Sequence, residues 1–247
     1  FLDSDVIPNS NWVENSIRLI NENPSAGAFE GRTEVSQREI SSPFTHQTEN
    51  LDGGRYPTCN LVVRRNLASF YPAYKIAFRE DTDLAFSILE LGFQIIFSPE
   101  LIVEHPPLSP NYSRPIFLAR RYYYDGLLAR RFPSRYRNEL DSHKVCGLMI
   151  PHLKRKIYGI LALSQIFLIL AIFYEISFFK FLIFVCIYFG ALVSSSISSL
   201  KYSGFQNIRF KDLLVFFFQL NALPWIMGYF LLRGWFDFRK EIKFQNE

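Results

Sequence analysis

The chain has 247 residues, with 27 basic and 23 acidic side chains and a net charge of +4. This charge is too mild to favour nucleic acid as a partner, and the length allows one soluble domain plus a membrane part. The three cysteines are scattered and fit neither a disulfide framework nor a zinc site, which favours a reducing compartment. Basic residues cluster near the apolar segments, a distribution that suits an anionic membrane surface.

The N-terminal segment begins as a short apolar run that contains Asp3-Ser4-Asp5. We interpret it as the carboxyl end of a buried strand whose beginning lies upstream of this sequence. Apolar residues at helical spacing predict an amphipathic helix over residues 11–21. Residues 26–35 are expected to form a strand that is broken at Gly31.

The middle of the chain alternates between strand and helix patterns, which predicts an α/β domain. Residues 36–54 show no periodicity and predict a mobile loop, because a loop of this length in a compact domain is usually functional or disordered. The remaining predicted elements are a strand at 57–63, a short helix from Arg64, a helix at 80–91, and two short strands at 94–97 and 101–103.

The predicted helix at 80–91 begins with three carboxylates, Glu80, Asp81 and Asp83. One interpretation is structural, since acidic side chains at a helix N-terminus cap free N–H groups and favour the helix dipole. The other is catalytic, because a general base must be held still and partly dry on a rigid element. The sequence of this segment alone favours the structural interpretation.

Residues 114–131 form a mixed helical pattern of tyrosine, arginine and leucine. Such a pattern is typical of a helix that lies at a membrane interface, although an ordinary surface helix has the same spacing. The apolar runs that follow favour the interface.

Three uncharged runs follow, over residues 157–174, 181–200 and 213–232. Their lengths of eighteen, twenty and twenty residues are enough to cross a bilayer at 1.5 Å per residue. Basic residues before the first run and after the second predict that both sites are cytoplasmic. Three full spans would place the basic tail outside, against this rule, whereas a third segment broken at Asn221 or Pro224 would keep it inside.

Five ordered motifs link these segments. They are Leu2-Asp3-Ser4-Asp5 (D-x-D), Asn60 to Arg65 (N-x-x-x-R-R), Glu80 to Leu84 with Gly92-Phe93 (E-D-x-D-L…G-F), Pro99 to His105 (P-E-x-x-V-x-H), and Arg120-Arg121 through Arg130-Arg131-Phe132-Pro133. Together they resemble the family 2 glycosyltransferases over about residues 1–135, with the membrane runs in the expected place.

The resemblance implies a GT-A fold and transfer of a sugar from a nucleotide-diphosphate sugar donor to a hydroxyl of a glycan or lipid-linked acceptor, with inversion. It implies Mg²⁺ or Mn²⁺ at Asp3, Asp5 and His105, and Asp81 as the general base. Asp83 would cap the helix or orient Asp81. A contact with the donor ribose or sugar is the alternative role for Asp3, and His105 has an ordinary loop position as its alternative. Arg120 and Arg121 would contact diphosphate or, alternatively, a lipid headgroup.

This resemblance divides the chain into a partial catalytic domain, an interface helix, a basic linker, the membrane runs and a basic tail. The predicted boundaries are 1–112, 113–135, 136–156, 157–233 and 234–247. We expect an integral membrane protein with a cytoplasmic catalytic domain, in the plasma membrane of a prokaryote.

The sequence departs from the family pattern in two places. The nucleotide-binding first half is not part of this sequence, and the Q-x-x-R-W motif of processive synthases is replaced by Arg121-Tyr122-Tyr123-Tyr124-Asp125, which favours a single transfer. A non-catalytic, membrane-anchored scaffold that lacks the donor-binding half is therefore the alternative function. A small transporter is disfavoured, because the predicted spans carry no charged residues.

Overall fold

The computed structural model describes residues 1–35, 44–45, 48–141, 143–145, 148–150, 152–174, 177–200 and 210–244. A mixed four-stranded sheet organises the first part of the chain, in the spatial order β1-β4-β2-β3. Strands β2 and β4 pair in parallel, and the two outer pairs are antiparallel. The strands are β1 (Ile7–Pro8), β2 (Ala26–Val35), β3 (Leu61–Val63) and β4 (Gln94–His105). With the helices described below, this sheet confirms the predicted α/β class.

Helix α1 (Trp12–Glu22) and helix α2 (Glu80–Glu90) cover opposite faces of the sheet. Successive residues of a strand face opposite ways, so Phe29 packs with α1 while Ala28 packs with α2. The buried α2 side chains Leu84 and Ile88 each contribute about 1.5–3 kcal/mol by leaving water. This packing fixes the position of the first turn of α2.

The segment between β2 and α2 is less regular than predicted. Strand β3 covers only the last three residues of the strand expected at 57–63, and the short helix expected from Arg64 is a 3-10 helix (Arg65–Leu67).

The two short strands predicted at 94–97 and 101–103 form one strand, β4, with an irregularity between them. Gly31 pairs with Ser98 and the next residue, Arg32, pairs with Ile102. Strand β2 is thus continuous through Gly31, so the predicted break is wrong, and the feature at this position is a shift of register against β4.

Asn60 fills this irregularity from the neighbouring chain segment. Its amide nitrogen donates to the carbonyl oxygens of Arg32 (3.0 Å) and Leu101 (2.7 Å), and its oxygen accepts from Trp12 Nε1 (2.9 Å). A Cβ at Gly31 would lie 2.2 Å from the Asn60 amide nitrogen, so the position requires glycine. One buried amide thus satisfies backbone groups that the shifted register leaves unpaired.

The predicted helix over 114–131 is divided into three pieces. Helix α3 (Arg114–Arg120) continues as a 3-10 helix (Arg121–Tyr124) and then as α4 (Asp125–Arg131). A short helix α5 (Pro133–Asn138) follows. The predicted basic linker also contains a hairpin of β5 (His143–Val145) and β6 (Leu148–Ile150), which the sequence pattern did not indicate.

The C-terminal part is helical, with α6 (Leu153–Phe173), α7 (Phe178–Leu200) and α8 (Phe210–Asp237). Among the described residues, two helices are long and apolar enough to cross a membrane, Phe178–Ser196 within α7 and Phe210–Asp237. Helix α6 contains most of the first predicted run and has three basic residues in its first turn, from Lys154. Helix α8 is continuous through Asn221 and Pro224, so of the two alternatives for the third segment the broken one does not occur.

Of the predicted mobile loop over 36–54, the structure describes residues 44–45 and 48–54, and the prediction otherwise lies outside the described residues.

Candidate active site

A cavity of about 1060 Å³ is lined by the first residues of the chain, the end of β4, the start of α2 and one face of α3. This volume is at the upper end of the range typical of ligand pockets. Its titratable side chains include Asp3, Asp5, Glu80, Asp81 and His105, which come from distant parts of the sequence.

Asp3, Asp5 and His105 form a group whose potential ligand atoms all lie within 4.8 Å of one another. A backbone bridge between Leu2 and Asn60 places the two aspartates, and His105 is the last residue of β4. The three residues that the sequence predicted as cation ligands are thus brought together by the fold.

The ring orientation of the buried His105 is set by its neighbour. His105 Nδ1 lies 2.9 Å from the carbonyl oxygen of Pro106. A carbonyl oxygen can only accept, so Nδ1 carries the hydrogen and the lone pair is on Nε2. Two carboxylates and such an imidazole are donors that suit Mn²⁺ or Mg²⁺.

The two aspartates affect each other. Partial burial raises the pKa of Asp3, and the nearby negative charge of Asp5 raises it further. A cation bound between them would reverse this effect, because it favours the ionised carboxylates. The electrostatics of the pair therefore fit a site for positive charge.

Asp81 stands in the first turn of α2, where Arg79 adopts a left-handed backbone conformation (φ 73°) and turns the chain into the helix. Asp81 Oδ1 accepts from the backbone N–H of Thr82 (2.6 Å) and from its hydroxyl (3.2 Å). Burial raises the pKa of Asp81, and the hydrogen bonds from Thr82 and the charge of Arg79 oppose that rise. The side chain is thus held in one orientation at the cavity wall.

Glu80 is the second carboxylate at this wall. Burial and the neighbouring charge of Asp81 raise the pKa of Glu80 to about 7. Its Oε2 atom is buried and has no hydrogen-bond partner within the described part of the chain. A carboxylate in this state takes up and releases a proton near neutral pH.

Asp83, the third acid of the motif, is buried away from this wall. Arg131 of α4 binds it with two hydrogen bonds, of 2.6 and 3.1 Å, and the hydroxyl of Tyr74 donates to it at 3.1 Å. The sequence predicted that Asp83 would cap the helix or orient Asp81. Its contacts instead join α2 to α4.

A buried layer of ion pairs lies beside Asp83 and was not predicted. Arg79 Nε donates to Asp125 (2.8 Å), and Arg79 NH2 donates to Asp141 (2.6 Å). Arg155, in the first turn of α6, lies 2.9 Å from Asp125. Burial alone would lower the pKa of Arg79, but Asp125 and Asp141 outweigh it and hold that pKa well above its ordinary value. This layer joins the start of α2 to α4 and to α6.

Of the two arginines predicted to contact diphosphate, only Arg121 lines the cavity. Its guanidinium lies 4.7 Å from the centre of the Phe78 ring, and its Nε atom has no partner among the described residues. Arg120 is exposed and lies over the ring of Phe230 in α8, so the structure places it outside the cavity wall. Adjacent residues of a helix point about 100° apart, which separates the two.

Three further residues on the same stretch line the cavity, and the sequence interpretation missed them. They are Arg114, Phe117 and Leu118, which together with Arg121 recur at i, i+3, i+4 and i+7, on one face of a helix. This spacing was readable in the sequence and would have chosen Arg121 over Arg120.

Glu30, a buried carboxylate of β2, shapes the opposite wall. It accepts hydrogen bonds from the backbone N–H groups of Gly54 (2.7 Å), Arg55 (2.9 Å) and Tyr56 (2.5 Å). A carboxylate that is bound by successive backbone amides fixes the loop that carries them. No sequence motif pointed to this role.

The chain was compared with protein-family models, with curated proteins and with solved structures, and none of the three comparisons found a match.

Proposed function

We propose that the chain is a membrane-bound inverting glycosyltransferase that moves a sugar from a nucleotide-diphosphate sugar to an acceptor hydroxyl. One observation carries the proposal. A group of cation-binding type (Asp3, Asp5 and His105) and a pair of carboxylates with raised pKa values (Glu80 and Asp81) line the same cavity. The first suits a charged leaving group, and the second suits removal of a proton.

The donor end of the cavity is the Asp3, Asp5 and His105 group. These residues would hold Mg²⁺ or Mn²⁺, which supplies positive charge to the diphosphate as it leaves. The hydrogen bond of His105 to Pro106 keeps the imidazole in the tautomer that offers Nε2. The potential ligand atoms of the three residues lie within 4.8 Å of one another, so side-chain movements would bring them onto a common cation.

The acceptor end is the first turn of α2. The acceptor oxygen attacks the anomeric carbon, the bond from that carbon to the diphosphate oxygen breaks, and the acceptor proton passes to Asp81. A single displacement of this kind inverts the configuration. Such a base contributes about 10²–10⁴-fold to the rate. The hydrogen bonds from Thr82 hold Asp81 in position for this transfer.

The α3 face indicates the class of acceptor. Arg114 and Arg121 each have a buried Nε atom without a partner among the described residues, and Phe117 and Leu118 lie between them in the sequence. Guanidinium groups bind phosphate, and the apolar pair suits a hydrocarbon chain. We infer an acceptor that joins a phosphate to a lipid.

The test is a screen of UDP-, GDP- and TDP-sugars with membranes that carry the protein, in Mn²⁺ or Mg²⁺, with release of nucleoside diphosphate as the readout. We expect one donor to be consumed, in a reaction that requires the cation. The matched variant is Asp5→Asn, at an exposed position, which should abolish the cation-dependent reaction while the protein stays folded. If the folded protein consumed no donor under any of these conditions, the scaffold function would replace this one.

A further inference from the structure

We propose that α8 lies in the plane of the membrane surface and that the α6–α7 hairpin carries the chain across the bilayer. In this arrangement α8 packs against the interface segment, which consists of α3, the 3-10 helix at Arg121–Tyr124 and α4. Helix α8 has the length and composition of a transmembrane helix. The residues that α8 contacts determine whether it crosses the membrane or lies along the membrane surface. The inference does not depend on the proposed enzymatic activity.

The interface segment contacts the catalytic domain at its start, middle and end. At its start Arg114 lines the cavity, in its middle Asp125 pairs with Arg79, and at its end Arg131 pairs with Asp83. A helix that follows this segment must therefore also run along the surface of the domain.

Helix α8 follows the interface segment in the same direction. Near its start, the Tyr112 hydroxyl donates to Asp212 (2.5 Å). At its end, the Tyr123 hydroxyl donates to Asp237 (2.9 Å). Later residues of one helix thus meet later residues of the other, which is the pattern of two parallel neighbours.

The two backbones touch near the end of α8. A Cβ at Gly234 would lie 1.8 Å from the carbonyl oxygen of Tyr123, and a Cβ at Gly126 would lie 2.4 Å from the carbonyl carbon of Gly234. Paired glycines allow such an approach, and they leave no room for lipid between the helices. Helix α8 is therefore fixed to the interface segment rather than to the bilayer interior.

After α8 the chain returns to the catalytic domain. The Tyr71 hydroxyl donates to Glu241 (2.7 Å), the N–H of Phe244 donates to the carbonyl of Arg131 (3.0 Å), and the Phe244 ring lies 5.3 Å from that of Phe132. Both ends of α8 thus contact the same domain. A helix that crossed the bilayer would have one end about 30 Å away from it.

The outer face of α8 suits a lipid surface. Phe218, Tyr229, Leu232 and Phe236 share one side of the helix and are 59% to 72% exposed. The basic residues Lys211 and Arg239 stand at the two ends of the helix. An apolar aromatic face between cations is the arrangement by which helices bind the headgroup boundary of anionic membranes.

The α6–α7 hairpin packs against the middle of α8 and then extends beyond it. Leu161 of α6 and Leu192 of α7 share one buried cluster with Leu220 of α8. The far end of the hairpin carries Phe173 and Phe178, which are 77% and 79% exposed. The hairpin therefore projects away from the domain. Helix α7 has the length and composition of a spanning helix, and α6 would cross beside it through the uncharged run that begins at Ile157.

This arrangement also removes a conflict in the charge distribution. With α8 in the plane, the basic residues at the start of α6, Lys211 at the start of α8 and the basic residues Arg239 and Lys240 after α8 all lie on the side of the catalytic domain. Three full spans would place the tail on the opposite side, against the positive-inside rule.

Cysteine accessibility tests the proposal in cells. Single cysteines are placed at Lys211, Lys240 and Ser177, which are exposed positions, in a chain whose three native cysteines are replaced by alanine. Labelling with a membrane-impermeant maleimide is compared before and after permeabilisation. We expect Lys211→Cys and Lys240→Cys to label from one face and Ser177→Cys, in the turn of the hairpin, from the other.

Labelling of Lys211→Cys and Lys240→Cys from opposite faces would show that α8 crosses the bilayer, and labelling of all three from one face would show that the hairpin does not. Either result overturns the proposal. A second measurement keeps the native cysteines. Epitope tags at the N- and C-termini should be removed by protease from the same face, and removal from opposite faces would contradict the proposal independently.

Discussion

The Glu80 and Asp81 wall of the cavity and the adjoining layer of ion pairs are built from the same residue types and differ in their partners. Arg79 and Asp141 of this layer also reach the cavity. At the wall, Asp81 is held by the adjacent Thr82, and Glu80 has a buried oxygen without a partner among the described residues. In the layer, Asp83 and Asp125 each face an arginine at 2.6–2.9 Å. Asp81 and Asp83 are only two residues apart on α2, yet their carboxylates lie in these two different environments.

This difference shows that burial alone does not identify a catalytic carboxylate. Burial raises the pKa of Asp83 and of Asp125, as it raises the pKa of Asp81, but each of the first two has an arginine that opposes the rise and occupies the carboxylate oxygens. A carboxylate that is desolvated and short of partners is the better candidate for chemistry. The same contrast predicts that substitutions at the wall reduce activity, whereas substitutions in the layer reduce stability.

Substitution of Asp81 by asparagine should have the largest effect. The amide that replaces the carboxylate cannot accept the proton, so we expect sugar transfer to fall by about 10²–10⁴-fold. The amide keeps an oxygen for the Thr82 N–H, so the thermal unfolding temperature and donor binding should not change. Near-normal turnover in D81N would show that the base lies elsewhere, and Glu80 would then be the next residue to replace.

Substitution of Asp125 by asparagine should give the largest loss of stability. It leaves Arg79 and Arg155 without the carboxylate between them, and breaking a buried pair of this kind costs about 3–5 kcal/mol. Thermal unfolding in detergent measures the effect. Asp141→Asn is the matched control, because Asp141 is partly exposed and its loss should be milder. If D125N were as stable as the parent, the claim that the ion-paired layer stabilises the fold would be wrong.

The pH dependence of activity should follow the ionisation of Glu80 at the cavity wall. Because the pKa of Glu80 is raised to about 7, the Glu80 side chain is mostly neutral below that pH. Above it, Glu80 ionises and places a second negative charge beside Asp81. We expect transfer to rise ~10-fold between about pH 6 and about pH 8, as one group near pH 7 loses its proton. In Glu80→Gln this rise should disappear, and an unchanged profile would assign it to another group.

Substitution of Tyr74 by phenylalanine should have the smallest effect. It removes one hydrogen bond to Asp83 and leaves the Arg131 pair intact, so we expect a loss of about 1–2 kcal/mol in the free energy of unfolding. Transfer activity should not change, since Asp83 does not line the cavity. A Y74F protein with normal stability but impaired transfer would place Asp83 in the catalytic machinery.

The parts of the fold that depend on local pattern were predictable. The periodicity of apolar residues located α1, α2 and β2 to within one or two residues, because each buries a face whose spacing is visible in the sequence. The Asp3, Asp5 and His105 group was predicted from ordered motifs, and the fold brings these residues together. Their role as cation ligands stays a prediction.

The parts that depend on distant contacts were not predictable. Arg79 is separated from its partners Asp125 and Asp141 by 46 and 62 residues, and no local pattern records which charge faces which. Arg120 was chosen beside Arg121 because the motif names both, whereas helix geometry sends them to different surfaces. The apolar run of α8 indicated a membrane helix, but only its contacts with the interface segment indicate how it is placed.

The place of Arg155 has a practical consequence for anyone who would make a water-soluble version of this protein. The residue belongs to the first turn of α6, yet its guanidinium pairs with the buried Asp125 of α4. A chain shortened before α6 would keep every residue of the cavity and still lose a buried cation, together with the Tyr136 hydroxyl contact that Arg155 makes. Solubilisation by truncation would thus weaken the very layer that positions α2, whereas extraction of the whole chain in detergent would preserve it.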